Sequence, residues 1–383
     1  MDQPYSFTIF ASYKELPLDW DTLATDNIFL SRDYFEILEK SAPENMTCHF
    51  IGLYEKEELI GIALSQFLDV NKLPSFGDRD RCFKSTVRNF IFRNFASHVL
   101  FIGNNMLTGQ NAFCLSDTAD KQQAIQVLKK AADELKIIFK NRGTKVHMTT
   151  FKDFDATELR DFPAADFSSY YQFTTSQPNM VFEIPGEWHS EQDYINALSK
   201  KYRDQYKRAR KKSADLVKRK LPLEEIIQYE DTIYELYYHV ASNAPFNTFF
   251  LARNHFRVFK EILKDEFLFY GYFMEDQLIG FNTLIKNGDS MDTYFLGYDD
   301  TIQKEKMLYL NMLYDMLAYS INKGFKTIVF ARTALEIKSS VGAKPVPMFG
   351  FISHSNPVLN KNIASIFRYL EPEMVWKERS PFK

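Results

Sequence analysis

The run DTYFLGYDDTIQKEKMLYLNMLYDMLAYSINKGFKTIVFARTALEIKSSVGAKP, residues Asp292–Pro345, decides the fold. Its opening, DTYFLGYDD, is short and aromatic and closes on Asp299 and Asp300, as a strand does when it runs out to solvent. The next segment puts Leu308, Met312, Met316 and Tyr319 on one stripe and Leu310, Leu313 and Leu317 beside it, a broad apolar helical face. Gly324 stands where a left-handed cap ends such a helix, and Lys326–Ala331 reads as the next strand. Strand, helix and strand on short turns make a β-α-β unit, whose crossover is right-handed. Ligands of open sheets gather where strands end and helices begin, which selects Tyr298–Lys306 and Arg332–Lys338.

Outside this unit the chain repeats itself. NIFLSRDYFEILE (Asn27–Glu39) has a counterpart in NTFFLARNHFRVFKEIL (Asn247–Leu263), and the hairpin IGLYEKEELIGIAL (Ile51–Leu64) in YGYFMEDQLIGFNTL (Tyr270–Leu284). KNRGTKVHMTTF (Lys140–Phe151) then answers INKGFKTIVFA (Ile321–Ala331). The shared Leu-Ile-Gly lies 32 residues after Asn27 (59 − 27) and 31 after Asn247 (278 − 247). Three landmarks in one order predict a duplicated α/β unit. The halves differ by an insertion, Asp69–Met106, whose basic run from Arg79 to Arg93 is interleaved with Phe and reads as a solvated helix or an anion-facing lid. The loop-rich stretch Phe151–Pro185 places the boundary near Asp155–Gln177, giving domains 1–165 and 166–383. Helices are expected over Ser190–Lys212 and Leu223–Ala241.

Composition narrows the function classes. Basic and acidic residues nearly balance, 47 against 50, so no global field draws the protein to nucleic acid. Cys48, Cys82 and Cys114 lie far apart with no CxxC spacing, which fits buried thiols rather than a zinc site or disulfide frame. The N-terminal segment has no signal architecture, and the longest apolar run, Phe267–Met274, is too short to cross a bilayer. A cytoplasmic location is expected. Thirty-six Phe residues imply large cores.

One charge run stands out. Lys200–Lys220 holds eleven basic residues against Asp204 and Asp215. Ser190 and Asp193 offer a capping pair, and Tyr194, Leu198, Tyr202, Tyr206 and Ala209 form the stripe to be buried. Arg203, Lys207 and Arg210 then fall on a neighbouring face. That face reads either as solvated or as a dock for the phosphates of a carrier, a nucleotide or tRNA.

With these segments in place, the chain resembles the tandem GNAT-fold acyltransferases of the FemABX and peptidoglycan-recognition type. SKKYRDQYKRARKKSADLVKRK (Ser199–Lys220) is similar to that family's Lys-x-Arg helix, and TALEIKSSVGAKP to its closing motif, here Lys338-x-x-x-Gly342. LIGFNTL, FLGYDD and the helix ending in NKGF are similar to its sheet. The resemblance spans about Asn27–Pro345. It implies an α/β (α+β) fold of two tandem GNAT-like units, each a mixed twisted sheet flanked by helices, the first degenerate. It also implies transfer of an acyl group to an amine. The family's Gly-rich pyrophosphate turn is absent, since no glycine lies between Gly297 and Gly324. Such glycines let backbone amides approach a pyrophosphate. A long-chain acyl-CoA, an acyl carrier protein or an aminoacyl-tRNA therefore stand as donors, bound as co-substrate rather than as a resident cofactor. The acceptor is a small-molecule or lipid-like amine.

Direct attack needs a neutral amine, a polarised donor carbonyl and a proton acceptor. No nucleophilic Ser or Cys motif appears. Tyr298 is a candidate donor to the carbonyl; Asp299 or Asp300 is a candidate for accepting a proton or orienting the amine. Arg332 should face the cleft, and Lys338 is a candidate phosphate or carboxylate ligand beside Arg203, Lys207 and Arg210. Glu336 reads as a base or, with Thr333, as a capping box. His239 reads as an amine-side base or as a helix-end histidine. The expected activity is N-acyl transfer from a thioester. The alternatives are aminoacyl-tRNA-dependent transfer and a non-catalytic binding protein on the duplicated fold.

Overall fold

The computed structural model describes residues 5–72, 95–244, 247–370 and 375–383; the basic run Arg79–Arg93 and Cys82 lie outside them. Seven strands come first: β1 (Tyr5–Phe10), β2 (Met46–Glu55), β3 (Glu58–Asp69), β4 (His98–Ile102), β5 (Phe113–Leu115), β6 (Met148–Phe154) and β7 (Tyr171–Thr174). Seven follow in a second sheet: β8 (Asn179–Glu183), β9 (Val217–Lys220), β10 (Phe267–Met274), β11 (Gln277–Asn287), β12 (Ser290–Tyr298), β13 (Thr327–Ala331) and β14 (Lys344–Val346). The last strand, β15 (Phe349–His354), returns to the first sheet.

The two sheets share one plan. The first runs β1-β2-β3-β4-β6-β15-β7, with β5 attached to β3; the second, from its other edge, runs β9-β10-β11-β12-β13-β8-β14. In each the first four strands are antiparallel. One parallel pair follows, β4 with β6 and β12 with β13. Each is completed by two antiparallel strands. The parallel pairs are bridged by the long helices Lys121–Asn141 and Leu308–Asn322. Leu-Ile-Gly proves to mark one device used twice. Between Leu53 and Tyr54 the β2–β3 register slips so that Ile60 is left over, and between Tyr272 and Phe273 the β10–β11 register slips at Ile279. Such bulges add twist to the strand that carries them.

Burial follows the apolar stripes. In the second sheet Met291, Ile328 and Phe330 pack against Leu313, Leu317 and Ile321, with Tyr194, Tyr202 and Ala209 in the same core. In the first, Leu100, Ile102 and Phe151 pack against Ile125, Leu128 and Leu135. No helix among the described residues is long and apolar enough to cross a membrane.

Three expectations need correction. The segment Ser190–Lys212 is two helices, Glu191–Ala197 and Lys200–Lys212, because Leu198 and Ser199 are extended between them. Leu223–Ala241 likewise divides at Tyr229 into Leu223–Gln228 and Glu230–Asn243. The chain also does not divide at a single cut between 165 and 166. One compact unit comprises Met1–Ser176, Phe246–Ala252 and Pro347–Glu373; the other comprises Gln177–Pro245, Arg253–Val346 and Met374–Lys383. Hydrophobic period identifies strands but carries no information on which sheet a late strand joins.

Candidate active site

The second unit opens where β12 and β13 part. They pair only through Ser290↔Thr327, Met291↔Ile328 and Asp292↔Val329, after which β12 keeps β11 alone as far as Tyr298. Along that free stretch the register slips between Asn282↔Leu296 and Leu284↔Thr293, so Tyr294 and Phe295 face Thr283 alone. The Thr283 hydroxyl donates to the carbonyl of Phe295 at 2.6 Å and fastens the bulge.

At the end of β12 the chain turns directly into a helix, Asp300–Lys306. The Thr301 N–H and hydroxyl donate to Asp299 Oδ1 at 2.8 and 2.6 Å, so Asp299 is the cap of that helix. Asp300 takes the other task. Its Oδ2 lies 2.6 Å from His239 Nε2 and accepts from Asn243 Nδ2 at 3.3 Å. His239 and Asn243 sit one turn apart on Glu230–Asn243, and the His239 and Asp300 side chains are each about half exposed, 49% and 50%. This helix reaches the strand end because Gly297 has no side chain. A Cβ there would stand 2.6 Å from Leu236 C and Tyr237 N. Tyr298, beside the pair, is half-buried; burial and then the Asp300 charge raise its hydroxyl above the ordinary tyrosine value, keeping it a donor.

The same end of β13 holds Arg332 and Lys338. Arg332 is largely buried, which pushes its guanidinium down to about 10. Lys338 is 5% exposed, and its ammonium donates to the carbonyls of Phe330, Ala331 and Arg332. Thr333 and Glu336 do not form the expected capping box. The cap position is Ala334, with φ 47° and no side-chain bond, and Glu336 instead pairs with Arg379 of the C-terminal segment.

The basic helix is divided between two environments. Arg203 folds back to the carbonyl of Leu198 at 2.7 Å, closing the preceding helix. Arg210 is held by Glu191 Oε1 at 2.8 Å and Asp315 Oδ1 at 2.7 Å, over the rings of Tyr206 and Tyr314. Helical spacing alone placed Arg203, Lys207 and Arg210 on one docking face. The carbonyls and carboxylates that claim the two arginines belong to other elements. Lys200, Lys201, Lys207, Arg208, Lys211 and Lys212 are the exposed cations, and none of them pairs with a carboxylate among the described residues.

The expected residues thus separate into groups. Tyr298, Asp300 and His239 come together. Arg332 and Lys338 share the adjacent strand end. Asp299, Glu336, Arg203 and Arg210 are engaged in caps and ion pairs. Asn243 had no signal in the sequence, because its partner lies 57 residues away. Of the thiols, Cys48 and Cys114 are free, and burial drives Cys48 up to about 12, far from a nucleophile.

No protein-family model and no curated protein sequence matches the chain. Solved structures do. FemX aligns over 91% of this chain and 97% of its own, with a TM-score of 0.54 at 11% identity. A tandem GNAT protein from the clavulanic acid biosynthesis pathway covers 92% of this chain and 99% of its own, with a TM-score of 0.50 at 10% identity. A conserved protein of unknown function from Bacteroides thetaiotaomicron covers 88% and 98%, again with a TM-score of 0.50 at 10% identity. At such identities the likeness concerns the fold, which is a tandem GNAT fold of mixed α/β units.

Proposed function

We propose that the protein is a GNAT-superfamily N-acyltransferase whose second unit joins an acyl group to an amine by direct attack. The observation that carries this reading is the His239–Asp300 pair beside Tyr298, at the end of a bulged strand that has parted from its parallel neighbour. The amine nitrogen bonds to the donor carbonyl carbon, and its proton passes to a ring nitrogen of His239. Asp300 steadies the resulting imidazolium. The Tyr298 hydroxyl donates to the carbonyl oxygen as charge gathers there. The bond from carbonyl carbon to carrier sulfur then breaks, and the carrier leaves with a proton.

The donor reading follows from charge. Asp299 and Asp300 stand at the start of the helix where a glycine turn would otherwise seat a pyrophosphate, and two carboxylates disfavour an anion there. A thioester whose phosphates are held elsewhere, on acyl-CoA or an acyl carrier protein, fits better. The six exposed cations of Lys200–Lys212 favour a second reading, an aminoacyl-tRNA donor.

The test is turnover with acyl-CoA, acyl carrier and aminoacyl-tRNA pools supplied separately with a panel of amines, following release of free carrier. One pool should turn over, and His239→Ala should slow it about a hundredfold or more. Wild-type turnover that survives His239→Ala and Asp300→Asn would remove the pair from the reaction.

A further inference from the structure

The backbone between β13 and the helix Leu335–Ser340 is strained in an unusual way. Ala331, Thr333 and Ala334 have φ of 57°, 65° and 47°, three side-chain-bearing residues in the left-handed region within four positions. Each such residue is costly and persists only where its surroundings over-determine it. In a regular strand successive carbonyls point to opposite sides. For the carbonyls of Phe330, Ala331 and Arg332 to converge on one point, the chain must leave the extended region. They converge on the Lys338 ammonium. The left-handed turn and the buried cation are therefore one device, in which three donors of an ammonium serve three carbonyls.

We infer that Lys338 is a positioning residue: its ammonium holds the turn Ala331–Ala334 in the form that sets Arg332 at the C-terminal end of β13, the strand that parts from β12. Its effect on turnover rests on the acyltransferase reading above; its hold on the turn does not. Among the described residues no carboxylate pairs with the Lys338 ammonium. Glu336 on the same helix is taken by Arg379, which also donates its N–H to the Ser339 hydroxyl, and Arg332 has the same sign as Lys338. A cation buried without a counter-charge is costly, so a purely structural site would do better with an apolar side chain of the same length. Burial pushes the Lys338 ammonium down to about 7. Deprotonation leaves two donors and a lone pair facing three carbonyls, so the turn loosens above that pH. Global stability moves the other way. The folded-state value lies below the unfolded one, so stability rises from about pH 7 towards the ordinary lysine range.

The experiment compares wild type, Lys338→Met and Lys338→Arg by hydrogen exchange of the segment 331–335, corrected for intrinsic rate, alongside melting temperature and transfer kinetics. Lys338→Met should keep or raise the melting temperature, speed exchange in 331–335 about tenfold, and lower kcat about tenfold with KM unchanged. Lys338→Arg should recover part of the protection. Equal protection of 331–335 in wild type and Lys338→Met overturns the inference. Should Lys338→Met fail to fold, the wild type decides alone. Its protection in 331–335 must fall between about pH 6 and pH 8.5 while the melting temperature does not, and flat protection overturns the inference. A wild type that turns over no donor yet shows the exchange pattern would sink the acyltransferase reading and leave the turn-holding role standing.

Discussion

In the first unit β4 and β6 run out into a loop that the chain fastens down; in the second, β12 and β13 run out into ionisable groups half open to solvent. After β4, Lys152 donates to the carbonyl of Asn104 at 2.8 Å, and Asn104 Nδ2 donates to the Tyr34 hydroxyl at 2.7 Å. Gln66 Oε1 accepts from the N–H of Asn105 at 2.7 Å. Every one of these side chains is buried or nearly so. Near the end of the second parallel strand a lysine donates to backbone carbonyl oxygen in both units, and both strands bulge there: β6 leaves over the left-handed Asp153, and β13 leaves over Phe330 beside the left-handed Ala331. The difference lies in what fills the mouth. An amide network closes the first, whereas the second carries His239 and Asp300 at about half exposure. A duplicated scaffold can thus keep its backbone devices in both copies while confining the half-exposed His239–Asp300 pair to one.

The sharpest way to break this comparison is to disable each mouth in turn. Asp300→Asn should reduce transfer about a hundredfold or more with little change in melting, since the pair is half exposed. Lys152→Met should do the reverse. It leaves Asp153, 1% exposed, without its neighbouring cation, and should cost about 3–5 kcal/mol in denaturant unfolding while the folded fraction keeps its turnover. Transfer lost with Lys152 and spared with Asp300 would reverse the assignment of the two units.

Glycine substitutions sharpen it further. Gly297→Ala puts a methyl into the backbone of Leu236 and Tyr237 and should cost about 1–3 kcal/mol, with turnover falling because His239 moves with that helix. Gly103→Ala, at φ 134° and with a Cβ 2.9 Å from Lys152 Cγ, should destabilise by a similar amount and leave turnover per folded molecule intact. The smallest effect is expected on the basic helix. Changing Lys207, Arg208 and Lys211 to Gln should leave melting unchanged and flatten the salt dependence of a single-stranded polyanion's binding by roughly two in log-log slope. Arg210→Gln should instead lower the melting temperature, because it releases Glu191 and Asp315.

The repeat was legible because backbone devices leave residue signatures. Leu-Ile-Gly marks a bulge, and the Gly that follows sits where a Cβ at 280 would come 3.0 Å from both Leu308 and Met312. The helix stripe Leu308–Tyr319 was equally readable, since burial on a sheet imposes the 3.6-residue period. The site was legible only as separate residues. His239 and Asp300 stand 61 positions apart on elements whose contact depends on Gly297, a tertiary fact with no period. The partners of Arg203 and Arg210 are hidden for the same reason, because a helical wheel shows neither the open carbonyl of Leu198 nor the carboxylate of Asp315.

The position of β15 bears on how the protein is made. This strand lies between β6 and β7, yet it follows β7 by 175 residues (349 − 174). A ribosome adding about 5–20 residues per second needs roughly 10–35 s to cover that interval. Throughout it the first sheet is missing an interior strand, and β6 and β7 present unpaired edges. Closing a chain loop of that length is slow, and open edges invite pairing with other chains. Pulse-labelled nascent chains halted before residue 349 should therefore remain protease-sensitive across β6 and β7 and recruit holdase chaperones, and release of the full chain should end both.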